Sequence, residues 1–156
     1  MIELLTTKHI KKIYMDVCTL CRPFDNQNLI RIRLETDAVF LIYEHIQNKD
    51  YSLIKSPAHI IEISESRDEN EKVKIMSFLE TYGKEYLYDF LKAKERAEML
   101  CKNKLGPADA AHIAFAEQSS DVFITCDDLL IKKCMKIKVN LLIMNPIQFC
   151  LYEELK

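Results

Sequence analysis

The stretch GPADAAHIAFAEQSSDVFITCDDLL, Gly106 to Leu130, carries most of the information about the fold. Gly106-Pro107 punctuates the chain and opens a helix, because proline's missing N–H costs nothing at a first helical position. ADAAHIAFAEQ is alanine-rich and apolar nearly all round, the pattern of a helix packed on most sides. Val122–Thr125 is a short apolar run suited to a buried strand, and Asp127–Met135 is a short helix after it. The segment thus reads as buried helix, buried strand, then an acid at the strand's exit.

Outward from there the same alternation recurs. Lys12–Met15 is a short apolar strand, and Asn28–Asn48 is a helix with Ile30, Leu34, Ala38, Leu41, Ile42 and Ile46 near 3.6 spacing. Tyr51–Lys55 is a second strand. Ser56-Pro57 then reads as an N-cap followed by proline at the first position of a helix through about Ser64, although HIIEI alone fits a strand equally. Asp68–Thr81 and Lys84–Asn103 are two helices parted by Gly83, the second with Leu87, Phe90, Leu91, Ala97 and Cys101 as its inner stripe. Val139–Met144 is a last strand, and Asn145-Pro146 starts a terminal helix. With only two glycines and four prolines, connections should be short. Short apolar strands between helices imply a parallel sheet covered on both faces.

Composition narrows the rest. A chain of 156 residues, 49% of them hydrophobic, is expected to form one domain with its own core. No run approaches the roughly 20 apolar residues of a membrane helix. The opening MIELLTTKHIKK lacks the order of a signal peptide, so the expected location is cytoplasmic. Six scattered cysteines do not make a disulfide scaffold. A formal net charge of −2 gives a nucleic-acid binder no global attraction, only local patches. Lys132, Lys133, Lys136 and Lys138 form one such patch, and solvated helix faces are the plainer reading of it.

In an open α/β sheet the ligand crevice lies beyond the carboxyl ends of the strands. Asp16 follows the first strand, and Asp127 and Asp128 follow Val122–Thr125. Glu62 lies about two turns after Pro57, and Asp109 sits in the first turn of the Ala-rich helix. Each has an ordinary use: Asp127 as an N-cap, Asp109 facing a helix dipole, Asp16 capping the next turn, Glu62 in solvent. Together on one edge they repel, and a divalent cation is the natural compensation. All-oxygen donors favour Mg²⁺ or Mn²⁺ over Zn²⁺.

The thiols compete for attention. Cys18 and Cys21 form a Cys-x-x-Cys pair, but Arg22-Pro23 a turn later argues against the long helix that a redox motif expects. No second ligand pair completes a zinc site. His112, on one helix face with Asp109, reads first as a hydrogen-bonded core histidine, and Asp25 as the N-cap of the helix that follows. Arg22, Lys132 and Lys133 are candidates to hold a phosphate. No aromatic platform for single-stranded RNA stands out.

These segments resemble the PIN-domain family. IYMD is similar to its opening strand and first Asp, and the acid of SPAHIIEIS to its helix Glu. GPADAAHIAFAE resembles its internal x-x-D-A-x-H-x-A helix, FITCDDLL its T-x-D strand exit, and MNPIQF its terminal Asn-Pro segment. RPFDNQ followed by RIRLE resembles a bacterial and archaeal branch close to VapC-type toxins. The resemblance covers Lys12 to Phe149. It implies a three-layer α/β/α fold and Mg²⁺- or Mn²⁺-dependent endoribonuclease activity. Asp16, Glu62, Asp109 and Asp127 would be the catalytic metal-binding acids, with Thr125 and Asp128 in support. RNA is the implied substrate, an antitoxin protein and a homodimer the implied partners, and no membrane is involved. The family usually follows its first Asp with a hydroxyl residue and Asn, whereas Asp16 is followed by Val17 and Cys18. Neither is expected to supply those polar contacts, which Thr19 is placed to replace. The alternative reading is a catalytically weakened PIN-like module that binds RNA or a protein.

Overall fold

The computed structural model describes residues 9–156. The opening MIELLTTK, read above against a signal peptide, lies outside them. Five parallel strands make the sheet: β1 Lys11–Met15, β2 Tyr51–Ile54, β3 Gly83–Lys84, β4 Val122–Ile124 and β5 Leu142–Met144, in the order β3-β2-β1-β4-β5. The helices are α1 Val17–Cys21, α2 Ile30–Gln47, α3 Pro57–Ser64, α4 Glu69–Tyr82, α5 Phe90–Lys102, α6 Pro107–Ser119, α7 Asp128–Lys136 and α8 Pro146–Tyr152.

Side chains alternate across a strand, and here the alternation builds two cores. Ile13, Met15, Val122 and Ile124 point to a layer holding α2, α4 and α8. Tyr14 and Phe123 point the other way, onto α5, α6 and α7. The result is the expected mixed α/β, three-layer α/β/α PIN-like fold. Among the described residues no helix is long and apolar enough to cross a membrane.

Capping explains several boundaries. Ser56 accepts from the Ala58 amide and forms a capping box with His59, which settles HIIEI as helix. Asn145 and Gln148 cap α8 in the same way. Asp68 accepts from Glu71 N to begin α4.

Three expectations are corrected. Lys84 does not begin a helix: Gly83 and Lys84 pair with Leu53 and Ile54 as an edge strand, and α5 starts only at Phe90, capped by Asp89. A Cβ on Gly83 would stand 2.4 Å from the Leu79 carbonyl oxygen, so glycine permits that abrupt change from helix to strand. The inner stripe of α5 is also different. Leu87 is 95% exposed, and Phe90, Leu91 and Cys101 are exposed, while Ala93 and Leu100 are buried. Finally, Asp25 does not cap α2, whose N-cap Leu29 makes no side-chain cap bond. It closes a 3-10 turn, Arg22–Phe24, and pairs with Arg22 at 2.9 Å.

Candidate active site

The strand order reverses between β1 and β4. The chain leaves β1 towards β2 and β3, then returns to the other side for β4 and β5. Ligands of open α/β sheets bind at such a switch point, outside the carboxyl ends of the strands. Asp16 directly follows β1, Asp127 lies three residues beyond β4, and Asp109 enters on the first turn of α6.

Asp16 is 5% exposed. Its Oδ1 accepts from Thr19 N at 3.1 Å, Thr19 Oγ1 at 2.7 Å and Cys18 Sγ at 3.1 Å. Thr19 therefore takes the hydroxyl role, and Cys18, expected to contribute nothing polar, also donates. Thr19 Oγ1 further accepts from Cys126 N and reaches the Ile124 carbonyl, tying β1's exit to β4's. Burial raises the Asp16 carboxyl above its ordinary range, with Thr125, Thr19 and Cys18 opposing.

Asp109 is half-buried, and no hydrogen bond to its carboxylate occurs among the described contacts. Burial raises its pKa first, then the charges of Asp16 and Asp127, with Glu62 adding to them. The β1–β4 pairing brings the exits that carry Asp16 and Asp127 side by side, and His112, one turn on from Asp109, meets Glu62. Asp127 fulfils its ordinary use as well: Oδ1 accepts from Leu129 N at 2.9 Å and Leu130 N at 3.1 Å, capping α7. Thr125 Oγ1 in turn accepts from Asp127 N. Glu62 Oε2 lies 2.5 Å from His112 Nε2. Asp16, Glu62 and Asp127 thus each give one oxygen to these contacts.

In chemical type the donors suit a hard divalent ion: all are oxygen, from the buried Asp16 to the exposed Asp127, and no lysine or arginine lies within 4 Å of them among the described residues. As they stand, no three His, Cys, Asp or Glu side chains among the described residues are grouped to hold a metal ion.

Other sequence candidates divide. Lys132 is exposed on α7 and Lys133 is half-buried. Arg22 is engaged within the protein, with Nη1 on Asp25 and Nη2 3.6 Å from Glu35. Asp128 takes a two-pronged contact from Arg31, at 2.5 and 2.8 Å, and stands outside the acidic group. Arg31 also binds the buried Glu35 at 2.6 Å, a connection that sequence spacing signalled only as an i, i+4 pair. The surroundings do not activate the thiols: burial and the Asp16 charge push Cys18 up, and burial and Glu71 push Cys21 up. Reactive cysteines need the opposite shift.

A cavity of about 490 Å³ is lined by Lys11, Asp50, Tyr51 and Glu153 at the amino ends of β1 and β2. It faces away from the acids and is not their crevice.

Fold and edge together define a PIN-like α/β protein with an acidic group at its switch point. No family model and no curated protein matches the sequence. Among solved structures it is similar to FitAcB from Neisseria gonorrhoeae, at 15% identity and a TM-score of 0.52, over 86% of this chain and 98% of the other. At that identity the likeness speaks for the fold alone.

Proposed function

We propose that this chain is a Mg²⁺- or Mn²⁺-dependent endoribonuclease and the toxin of a toxin–antitoxin pair. The observation that carries the reading is the arrangement at the sheet's switch point, where Asp16 leaves β1, Asp127 follows the adjacent β4, and His112 ties Glu62 to the helix that bears Asp109, with no lysine or arginine paired to these acids among the described residues. Asp16, Glu62, Asp109 and Asp127 would hold the ion. When bound, it supplies Lewis-acid polarisation of the phosphate and a more acidic water.

The chain's own residues do the positioning. Thr19 and Cys18 fix one oxygen of Asp16, leaving the other side of the carboxylate for a ligand. The α7 amides fix Asp127 similarly. Lys132 and Lys133, one turn into the helix that Asp127 caps, would hold RNA phosphates, whereas Arg22 is already occupied by Asp25 and Glu35. The antitoxin follows from the resemblance to VapC-type toxins, as does a homodimer.

Purified protein should cleave single-stranded RNA with Mn²⁺ or Mg²⁺, and Asp16→Asn and Asp109→Asn should abolish cleavage. Val17, in place of a polar residue after Asp16, favours the second reading, a weakened module that binds RNA or protein. RNA binding without cleavage across metals and substrates would select it.

A further inference from the structure

Behind Glu62 runs a chain of buried polar groups that leads away from the site. His112 Nε2 meets Glu62 Oε2 at 2.5 Å, and His112 Nδ1 meets Tyr14 Oη at 2.6 Å. Tyr14 Oη meets Ser56 Oγ at 2.6 Å. Tyr14 and His112 are 0% and 1% exposed, and Ser56 3%. The groups come from β1, α3 and α6, so three separate segments must be in place to form the chain.

Its direction follows from donor chemistry. A carboxylate only accepts, so His112 Nε2 carries the proton that reaches Glu62. In the neutral ring Nδ1 then accepts, and the Tyr14 hydroxyl must donate to it. Ser56 donates in turn to the Tyr14 oxygen, while Ser56 Oγ accepts from the Ala58 amide. His59 packs against the same rings and is locked separately: its Nδ1 accepts from Ser56 N and its Nε2 donates to the Met15 carbonyl at 2.7 Å.

We infer that His112, backed by Tyr14 and Ser56, is a positioning residue that fixes the Glu62 carboxylate toward the acidic edge. The inference rests on the reading of Glu62 as a metal-holding acid. Glu62 is 37% exposed in its side chain and sits on a surface helix, so it would otherwise sample several rotamers. A histidine held from behind restricts that freedom while engaging only Oε2, which leaves Oε1 for a ligand. Groups that orient a ligating carboxylate typically change metal affinity by about 10–100-fold when removed.

The test combines nitrogen NMR with Mn²⁺ titration on the full chain. In the wild type, His112 should show a protonated Nε2 and a bare, hydrogen-bonded Nδ1. Tyr14→Phe should move the Nδ1 resonance, and Glu62→Gln the Nε2–H resonance. Tyr14→Phe and His112→Gln should each weaken Mn²⁺ binding by about 10-fold, and neither should weaken it further in the Glu62→Gln background. Equal losses in both backgrounds would overturn the inference, because the chain would then act on the fold rather than through Glu62. A wild type that binds no Mn²⁺ would refute the metal reading separately. The NMR arm would still decide the orientation, and a His112 Nε2 lacking the proton, or indifferent to Glu62→Gln, would overturn it.

Discussion

Two charged groups lie at the same end of the sheet and are built on opposite principles. Beside β4's exit, Arg22, Arg31, Asp25, Glu35 and Asp128 form a network in which each acid faces an arginine. At the switch point, Asp16, Asp109 and Asp127 have no cationic side chain within 4 Å among the described residues, and Glu62 has only His112. The carboxylates of Asp16, Asp127 and Glu62 instead accept amide, hydroxyl, thiol and imidazole donors on one side, and Asp109 accepts none among the described residues. The first group closes on itself and holds the 3-10 turn, α2 and the start of α7 together. The second leaves negative charge open. Compensated carboxylates maintain structure, whereas uncompensated ones mark the place where the protein spends stability on something else.

The contrast is sharpest in activity. Asp16→Asn and Asp109→Asn should each reduce Mn²⁺-dependent RNA cleavage by at least about 100-fold, since a positioned electrostatic group is worth about 10²–10³ in rate. Asp128→Asn should leave cleavage within a few-fold. A large loss for Asp128→Asn, with Asp109→Asn unaffected, would exchange the roles of the two groups.

Stability should separate them in the other direction. Glu35 is 1% exposed between Arg31 and Arg22, so Glu35→Ala removes charge-assisted contacts from the half-exposed Arg31 and the partly buried Arg22 and should cost about 2 kcal/mol in denaturant unfolding. Asp109→Asn relieves repulsion and should hold or raise the melting temperature without metal. Asp128 and Arg31 are each about half exposed, and their pair should contribute less than about 1 kcal/mol.

The pH dependence has opposite signs as well. Asp16 and Asp109 have folded pKa values raised above 3.8, so between 3.8 and the raised values the folded state binds more protons than the unfolded one. Stability therefore falls as pH rises through that window, and the penalty persists above it. Asp128 is lowered by Arg31, so its small contribution is present above 3.8 and is lost as pH falls through the lowered value. Asp109→Asn should flatten the first trend in pH-dependent melting without changing the second. The smallest effect concerns the thiols: Cys21→Ala should leave cleavage within about 2-fold, because a cysteine with a raised pKa offers little thiolate.

The sequence made four of the sheet's five strands and the placement of the acids legible because strand exits, proline entries and caps are local signals. Asp127, Ser56-Pro57 and Gly106-Pro107 illustrate this. The start of α5 was not legible, because the Gly83–Lys84 strand is defined by its pairing with Leu53 and Ile54, which are distant in sequence. Its exposed Leu87, Phe90 and Leu91 satisfy helical spacing without facing the core. Thr19 was legible as a substitute for the missing polar pair. The Cys18 thiol was not, because its usefulness depends on α1 turning it back onto Asp16. Likewise, the occupation of Arg22 by Glu35 is a tertiary fact that no spacing revealed.

Calorimetric titration of Mn²⁺ into the wild type, Asp109→Asn and Asp128→Asn tests the claim about open negative charge most directly. The wild type and Asp128→Asn should bind the ion with similar affinity, and Asp109→Asn should lose that binding. Undiminished binding by Asp109→Asn, or none by the wild type, would contradict it.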